Sequence, residues 1–284
     1  MYPVGLSSSF FSAAQPISFD VWFSEYEKGG ITHFELSFGA EKDHDALILD
    51  GIGEAARAHG VTLWSYHLPF LPFEKLDPSS PNEEMRRYTV GKFTDYMKAA
   101  APHGFSHFVF HASGEPIADA DRAAHLEAAK RSVRELCQTA GDLGVTLCVE
   151  DLPRSCIGHD SGEILALLEA DSRLRVVFDT NHLTKQDNAE FVRAVGEKIV
   201  TTHVSDYDLI DERHVLPGEG KADFSGVLKA LSEVGYRGPW LYELSAGSTG
   251  RILRPVPLTA SDVYENAAAL FEGRKPAVLG KILF

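Results

Sequence analysis

The chain has 284 residues, 44% of them hydrophobic, and a formal net charge of −14 at pH 7. This length is enough for one large core, and α/β barrels of this size are commonly a single domain. The negative charge repels phosphate backbones, so we expect no nucleic-acid partner, and no apolar stretch reaches the roughly 18 residues needed to span a membrane.

The amino terminus and the cysteines indicate the cellular compartment. The sequence MYPVGLSSSFF has neither the basic segment nor the long apolar run of a signal peptide. The three cysteines, Cys137, Cys148 and Cys156, cannot form a complete set of disulfides, which fits a reducing environment. We therefore expect a cytoplasmic protein.

Apolar, β-branched runs alternate with amphipathic segments along almost the whole chain. Short apolar runs of four to eight residues are typical of buried strands, and apolar residues at three- and four-residue spacing are typical of helices. In chain order we predict strand Tyr2–Ser7, helix Phe19–Lys28, strand Thr32–Ser37, helix His44–His59, strand Thr62–His67, helix Glu83–Pro102, strand His107–His111, helix Ala120–Leu143, strand Val145–Glu150, helix Gly162–Ala170, strand Arg175–Asp179, helix Ala189–Gly196, strand Val200–Val204, helix Phe224–Val234, strand Trp240–Glu243 and helix Ala260–Gly273.

Eight strand–helix units in strict alternation predict an α/β fold, a (β/α)8 TIM barrel that forms a single domain over residues 1–284. A doubly wound sheet is the alternative. Such a sheet usually has a Gly-rich phosphate loop after its first strand, and none is visible. For the apolar tail Lys275–Phe284 we expect packing either under the barrel or against a second subunit.

Four successive predicted strands end in an ionisable side chain. These are Glu150 in VTLCVE, Asp179 in LRVVFDT, His203 in IVTTHVS and Glu243 in PWLYEL. A buried strand does not carry such a group unless something pairs with it, and the carboxyl ends of barrel strands meet at one rim. Three carboxylates and an imidazole converging there would bind one divalent metal ion, with oxygen-rich ligation suited to Mn, Mg, Co or Zn.

Further polar side chains follow the predicted strands at the same rim. Asp179 and His182 form a D-x-x-H turn, in which the histidine can point back into the cavity beside the aspartate. A lone strand-end histidine is more often a hydrogen-bonded structural residue than a ligand, and a lone carboxylate is often a helix cap or a loop anchor. We favour that structural role for Glu35 and Asp206. Two more histidines end earlier strands: His67 and His111.

After His203 the chain reads SDYDLIDERHVLPGEGKADF, where the Pro-Gly and Gly-Lys pairs suit a tight loop over the barrel mouth. Arg213 or His214 in this loop could reach a substrate oxygen; a solvated charged loop is the alternative. Three aromatic residues in and after the third strand form either an apolar wall beside a bound ligand or an ordinary part of the core: Trp64, Tyr66 and Phe70.

The chain resembles the xylose isomerase-like barrel superfamily, specifically the sugar phosphate isomerase/epimerase group. That group includes ketose 3-epimerases, hydroxypyruvate isomerases and inosose-processing enzymes. The matching segments lie within about residues 145–245 and are CVEDLP, VVFDTNHL, THVSDYD, ERHVLPGEG with ADF, and GYRGPWLYELS. The first half matches more loosely, through THFELSFG, SYHLPF and FVFHAS.

The resemblance implies one divalent metal ion, most often Mn, bound by Glu150, Asp179, His203 and Glu243. In the epimerases, the glutamates that match Glu150 and Glu243 also act as the catalytic acid/base pair, and the histidine that matches His182 binds substrate. We assign substrate contacts to five side chains at this rim: His182, His67, His111, Arg213 and His214.

Two comparisons within the superfamily complicate this assignment. Ketose 3-epimerases usually place a second glutamate six residues after the first, where it helps to hold the substrate, and that position is Cys156 here. The superfamily also contains AP endonucleases with three zinc ions, and this chain offers most of their ligand types. Their acid-x-histidine pair is Glu212 and His214 here, with Glu replacing the usual Asp, and the −14 charge opposes DNA binding. The other matching residues are His67, His111, Asp179 and His182.

The favoured function is a metal-dependent isomerase or epimerase of a keto-sugar, a polyol-derived ketone or a related small carbohydrate. The reaction would pass through an enediolate stabilised by the metal charge, with Glu150 and Glu243 transferring the protons. Alternatives are a lyase or dehydratase acting on an inosose or keto-sugar, the trinuclear zinc phosphodiesterase, and a non-catalytic sugar-binding barrel. The lack of a Gly-rich phosphate loop favours an unphosphorylated substrate. A homo-oligomer stays open, since dimers and tetramers are common for such barrels.

Overall fold

The computed structural model describes residues 1–11, 17–45 and 47–284, and its centre is an eight-stranded parallel barrel. The strands are hydrogen-bonded in the order β7-β6-β5-β4-β3-β2-β1-β8, and the ring closes where Val204 bridges to Tyr242. The predicted (β/α)8 barrel is therefore confirmed. Its strands are β1 (Val4–Ser7), β2 (His33–Ser37), β3 (Thr62–His67), β4 (His107–His111), β5 (Thr146–Glu150), β6 (Arg175–Asp179), β7 (Ile199–His203) and β8 (Trp240–Tyr242).

Helices cover the outside of the barrel, and several begin at a side chain that accepts a hydrogen bond from the first helical turn. Among the described residues, none of the helices combines the length and the apolar character needed to cross a membrane. Their bounds are α1 (Phe19–Gly29), α2 (Glu41–Asp45), α3 (Ile52–Ala58), α4 (Glu83–Ala100), α5 (Arg122–Leu143), α6 (Ser161–Leu168), α7 (Asn188–Val195), α8 (Phe224–Glu233) and α9 (Ala260–Phe271). The capping residues are Asn82, Asp160, Asp187, Asp223 and Thr259.

The second predicted helix, His44–His59, is wrong as a single element. The structure has two shorter helices there, α2 and α3, and residue 46 lies outside the described residues. Gly51 precedes α3 with a φ of 80°, a left-handed conformation that a continuous helix cannot contain. The apolar spacing across this segment predicts helical residues on both sides but gives no sign of the break.

A layer of apolar side chains fills the barrel interior below its carboxyl rim. Its members are apolar, fully buried side chains that lie on the same face of each strand as a polar group two residues further on. The apolar and polar partners are Val109 with His111, Cys148 with Glu150, and Val177 with Asp179. The polar groups at the rim therefore lie above an apolar layer of the barrel interior.

The tail forms a short antiparallel pair at the carboxyl rim, β9 (Ile252–Leu253) with β10 (Lys281–Ile282). The Leu279 backbone N–H donates to Glu219 at 3.0 Å, and the Phe284 ring lies 5.1 Å from the Arg213 guanidinium. Both partners belong to the loop after β7. The predicted packing under the barrel is therefore wrong, since the tail packs on the loop beside the mouth; packing against a second subunit stays a prediction.

His44 in α2 is held as a neutral imidazole between two partners. Its Nδ1 accepts a hydrogen bond from the Tyr66 hydroxyl at 2.7 Å, and its Nε2–H donates to the Phe38 carbonyl oxygen at 2.7 Å. Burial lowers the pKa of His44 from 6.5 to about 4, although the Phe38 carbonyl opposes this. Unfolded chains therefore bind a proton at this histidine over a pH range in which the folded protein does not.

We expect this difference to make stability depend on pH between 6.5 and 4. The stabilising contribution is fully present above pH 6.5 and is lost as the pH falls through the folded pKa, by about 3 kcal/mol in total. Denaturant unfolding at several pH values checks this. His44→Gln should flatten the pH dependence in that window, whereas His103→Gln should leave it unchanged; equal slopes for wild type and His44→Gln would contradict the assignment.

Candidate metal centre

Four predicted ligands come together at the carboxyl rim of the barrel. Glu150, Asp179 and His203 are the last residues of β5, β6 and β7, and Glu243 directly follows β8. One ligand atom from each lies within 4.8 Å of the corresponding atoms of the other three. The first three side chains are buried, and that of Glu243 is 16% exposed, so the group opens only toward the mouth.

His203 lies at the middle of this group. Its Nδ1 is 2.7 Å from Glu150 Oε1 and 3.4 Å from Glu243 Oε2. On the other side of the ring, Nε2–H donates to Glu35 Oε2 at 2.9 Å, and the Ser65 hydroxyl donates to the same oxygen at 2.7 Å. A histidine that donates from one nitrogen to a carboxylate is fixed in orientation, with its other nitrogen directed at a metal.

Glu35 is therefore a supporting residue that the sequence interpretation missed. We favoured a cap or a loop anchor, but its side chain is fully buried inside the barrel and contacts His203. The position of Glu35 in the strand THFELSFG could have predicted this role. Side chains alternate between the two faces of a strand, which places Glu35 on the same face of β2 as His33 and Ser37. Asp206, by contrast, is a loop anchor: it accepts hydrogen bonds from the backbone N–H groups of Gly218, Gly220 and Ala222.

Glu150 contacts three histidines. Beside the contact with His203, its Oε2 lies 3.0 Å from His67 Nε2 and 3.3 Å from His111 Nε2. Burial raises the pKa of Glu150, but the charge of His203 and hydrogen bonds from the three imidazoles outweigh it and hold that pKa well below its usual range. The carboxylate is therefore ionised and available as a ligand or as a base.

Asp179 is the proposed ligand whose surroundings most favour a bound cation. Its Oδ1 accepts the Asn181 backbone N–H at 2.6 Å, and its own N–H donates to Asp151 Oδ1 at 2.8 Å, but its buried Oδ2 accepts no hydrogen bond from the described residues. Burial raises the pKa of Asp179 to about 7, against the charge of His182. An unpartnered buried carboxylate oxygen is costly, and a divalent ion would satisfy it. The donor set fits such an ion.

We expect metal binding to release protons from this site in the chelator-treated protein. The Asp179 carboxyl must ionise to become a ligand, so the apparent affinity should fall by about tenfold for each pH unit below 7. Calorimetry at pH 6 in two buffers of different ionisation enthalpy should measure about one proton released per ion, and fewer at pH 8.5. An affinity that is independent of pH from 6 to 8 would contradict the assignment of Asp179.

A second group of ligand types lies beside the first and consists of His182, Glu212 and His214. The His182 Nδ1–H donates to the Asp151 carbonyl oxygen at 2.7 Å, which directs its Nε2 toward Glu212 Oε1 at 3.0 Å and Asp179 Oδ2 at 3.6 Å. The His214 Nε2 lies 3.8 Å from the same glutamate oxygen. His182 therefore connects the two groups, as its D-x-x-H position predicts.

Arg154 holds Glu212 in this position. Its guanidinium contacts Glu212, and it also pairs with Glu115 at 2.7 Å and Asp211 at 2.8 Å. Burial raises the pKa of Glu212, but hydrogen bonds from His182 and the other partners lower it well below its usual range. One arginine thereby ties together the loops that follow β4, β5 and β7.

Of the three aromatic residues singled out in the sequence, only one lies at the site. The Phe70 ring stacks on His111 with centroids 4.3 Å apart, so it is a wall of the site. Trp64 instead stacks on His107 at the amino end of β4, and Tyr66 packs against Phe105 in the layer outside the barrel, so the idea that all three aromatics line the site is wrong.

Arg213 and Cys156 also lie apart from the ligand groups. The Arg213 guanidinium pairs with Asp208 at 2.7 Å and lies over the Phe284 ring, so the structure does not bring it to the four-ligand group. Cys156 is buried in the loop after β5, and burial raises the pKa of its thiol to about 12. It is therefore a neutral thiol at the position where ketose 3-epimerases usually have a second glutamate.

Comparison with known proteins identifies the family of this barrel. A sequence profile described as the xylose isomerase-like TIM barrel matches residues 23–270. An uncharacterised protein of Methanocaldococcus jannaschii is 30% identical over 176 residues, which are 59% of this chain and 60% of that protein. The D-psicose 3-epimerase of Ruminiclostridium cellulolyticum is 21% identical over 250 residues, 84% of this chain and 82% of that enzyme. The matched region thus spans less than two thirds of the first relative.

Solved structures of sugar epimerases have the same fold. The structure of L-ribulose 3-epimerase superposes with a TM-score of 0.77 at 18% identity, covering 96% of this chain and 94% of that one. The D-psicose 3-epimerase of Clostridium cellulolyticum, crystallised with D-tagatose, gives 0.75 at 18% identity and covers 95% and 97%. At this level of identity the likeness shows a shared barrel.

Proposed function

We propose that this chain, which belongs to the xylose isomerase-like TIM barrel family, is a divalent-metal-dependent epimerase of a ketose or a related small sugar. The observation that carries the proposal is the buried Asp179 oxygen, which accepts no hydrogen bond from the described residues and belongs to a group of three carboxylates and one imidazole. The names of the relatives supply the substrate class: they include a ketose 3-epimerase and D-psicose 3-epimerases.

The metal would be held by Glu150, Asp179, His203 and Glu243. When bound, it would polarise a substrate carbonyl and make the neighbouring C–H bond more acidic. Oxygen-rich ligation with one imidazole suits Mn best among the candidates, with Mg, Co and Zn as alternatives. Glu35 would keep the His203 ring in place through the 2.9 Å hydrogen bond to Nε2.

Glu150 and Glu243 would carry the protons. They belong to β5 and β8, which are separated by two strands in the barrel, and both approach His203 Nδ1, at 2.7 and 3.4 Å. A substrate lying between them presents one face to each carboxylate. One glutamate takes the proton from the carbon beside the carbonyl, and the other returns a proton to the opposite face of the same carbon, which inverts that centre.

Histidines around the glutamates would bind the hydroxyl groups of the sugar. His67 and His111 approach one side of Glu150, with Phe70 stacked on His111 as an apolar wall. His182 and His214 lie on the side of Asp179 and Glu212. Arg213 would also bind the sugar, but it would first have to leave its ion pair with Asp208.

Metal content and proton exchange test the proposal together. We expect about one Mn, Co, Mg or Zn per chain by inductively coupled plasma mass spectrometry, and exchange of a ketose C3–H for deuterium in D2O, followed by NMR. Product analysis separates epimerisation from isomerisation or dehydration of an inosose or keto-sugar. A metal-loaded protein that exchanges no carbon-bound proton in any ketose would reject the epimerase and favour a sugar-binding barrel.

A second candidate function rests on the group His182, Glu212 and His214 beside the first, with His67 and His111 on the far side of Glu150. With the first group, these residues nearly complete the nine-ligand set of a trinuclear zinc phosphodiesterase, although Glu212 stands where those enzymes usually have Asp. About three Zn per chain, with cleavage of abasic-site DNA, would establish that function. The net charge of −14 opposes it, because DNA binding requires a basic surface. Location in the cytoplasm and assembly into a homo-oligomer stay predictions.

A further inference from the structure

Arg154, in the loop after β5, is the centre of a network of ion pairs at the mouth of the barrel. Its Nε and Nη2 groups donate to the two carboxylate oxygens of Glu115, at 2.8 and 2.7 Å. Its Nη1 group donates to Asp211 at 2.8 Å and also to Glu212. The two-pronged contact fixes the guanidinium on the loop after β4, and the remaining nitrogen holds the loop after β7.

The backbone around this network is strained. Among the described residues, three that are not glycine have a left-handed φ: Arg154 at 52°, Leu209 at 67° and His214 at 48°. A residue with a Cβ seldom adopts this conformation, and where it does, the surrounding contacts must hold it there. The last two residues flank Asp211 and Glu212 in the chain. Strain on both sides of the ion pairs indicates that the pairs hold one particular loop conformation.

Glu212 connects the network to the histidines of the site. Its Oε2 contacts Arg154, and its Oε1 lies 3.0 Å from His182 Nε2 and 3.8 Å from His214 Nε2. The same His182 nitrogen lies 3.6 Å from Asp179 Oδ2, at the edge of the four-ligand group. A movement of Glu212 would therefore displace the partner of an imidazole that faces the proposed metal centre.

We infer that Arg154 is a positioning residue for substrate binding, which acts through Glu212. It fixes His182 and His214 in the positions from which they bind the hydroxyl groups of the sugar. The inference rests on the proposed epimerase function for the role of the two histidines. Since the four proposed ligands are carried by the strand ends and not by Arg154, loss of the arginine weakens sugar binding more than it slows proton transfer.

Arg154→Met removes the guanidinium and keeps much of the side-chain volume. The probes are D-fructose, D-psicose and D-tagatose, added to the metal-loaded protein. We expect KM to rise by about three- to tenfold, because misplaced imidazoles lose their hydrogen bonds with the sugar. The value of kcat should change by less than about twofold, since Glu150 and Glu243 stay in place. Arg154→Lys keeps the charge but not the fork, so its KM should lie between those of wild type and Arg154→Met.

Arg173→Met is the matched control. Arg173 forms a two-pronged pair with Asp171 through contacts of 2.9 and 2.7 Å, and its side chain is 47% exposed, against 42% for Arg154. It precedes β6 and therefore lies at the amino end of the barrel, away from the mouth. Its KM should equal that of wild type. A rise in KM for Arg154→Met no larger than for this control would overturn the inference.

A double-mutant cycle with Glu212→Ala tests the route of the effect. The alanine removes both the oxygen that contacts Arg154 and the oxygen that faces His182. If the arginine acts through Glu212, adding Arg154→Met to Glu212→Ala should raise KM by less than about twofold further. A rise as large as in the wild-type background would show that Arg154 acts by another route, and the inference would be wrong.

Hydrogen exchange of the loop separates this inference from the proposed function, because it needs no sugar. The Asn181 Oδ1 atom accepts the backbone N–H groups of Arg213 at 2.8 Å and His214 at 3.3 Å. Arg154→Met should speed exchange in the peptide 208–216, measured by mass spectrometry, and the matched control should not. Faster loop exchange without turnover of any ketose by wild type would support the positioning role and reject the epimerase. An active epimerase in which Arg154→Met changes neither loop exchange nor KM would reject the inference alone.

Discussion

Glu150→Gln and Glu243→Gln are each expected to lower kcat for ketose epimerisation by about a thousandfold or more. An amide has the shape of the carboxylate but neither takes nor returns a proton at these pH values. It is also a weaker ligand for a divalent ion. Both side chains approach His203 Nδ1, so in the proposed mechanism each change acts on a group next to the reacting carbon and keeps the shape of the side chain.

Three measurements on each variant identify the cause of the loss. NMR gives the rate of C3 proton exchange, mass spectrometry gives the metal content, and circular dichroism gives the melting temperature. Full metal content without exchange assigns the lost step to proton transfer, and lost metal assigns it to ligation. Glu54→Gln, at an exposed position of α3, is the matched control and should retain activity. An active Glu150→Gln protein would overturn the acid/base assignment.

Arg254→Met is expected to lower the free energy of unfolding by about 3–5 kcal/mol. Arg254 forms a two-pronged ion pair with Glu219, through contacts of 2.9 and 2.8 Å, and the two side chains are 1% and 0% exposed. Methionine fills a similar volume, but it leaves the Glu219 carboxylate buried with only the Leu216 and Leu279 backbone N–H groups as donors. Denaturant unfolding followed by fluorescence measures the loss.

Two further variants give this prediction its controls. Arg254→Met combined with Glu219→Leu removes both charges and should recover most of the stability, because no unpaired buried charge is left. Arg193→Met breaks the exposed pair with Glu233 and should cost far less, since both side chains are more than 40% exposed. A loss at Arg254 no larger than the loss at Arg193 would show that burial of the pair contributes nothing.

The sequence predicts the barrel and the four-ligand group because both follow from local patterns. Each strand was placed within two residues, since buried parallel strands are uninterrupted apolar runs. Once the strands are known, the shared rim of a parallel barrel brings Glu150, Asp179 and His203 together without any information on long-range contacts. His182 follows from its fixed spacing to Asp179.

Other features depend on contacts that leave no local pattern. The register between β2 and β3 shifts after Phe34, so Trp64 is passed over in the pairing and its ring stacks at the amino end of the barrel. The position of Arg213 is set by Asp208 and by Phe284, a residue 71 positions away in the chain. Neither effect can be predicted from the residue pattern of one strand, because each depends on contacts with distant parts of the chain.

The two halves of the chain contribute different parts of the rim. All four proposed ligands come from residues 150–243, whereas a separate cavity of about 940 Å³ at the same rim is lined mostly by described residues among the first fifty, such as Phe11, Trp22 and Phe38. In the proposed epimerase, substitutions around this cavity would leave the reacting groups unchanged. The first fifty residues would then be the segment to randomise in a library selected for new sugar substrates.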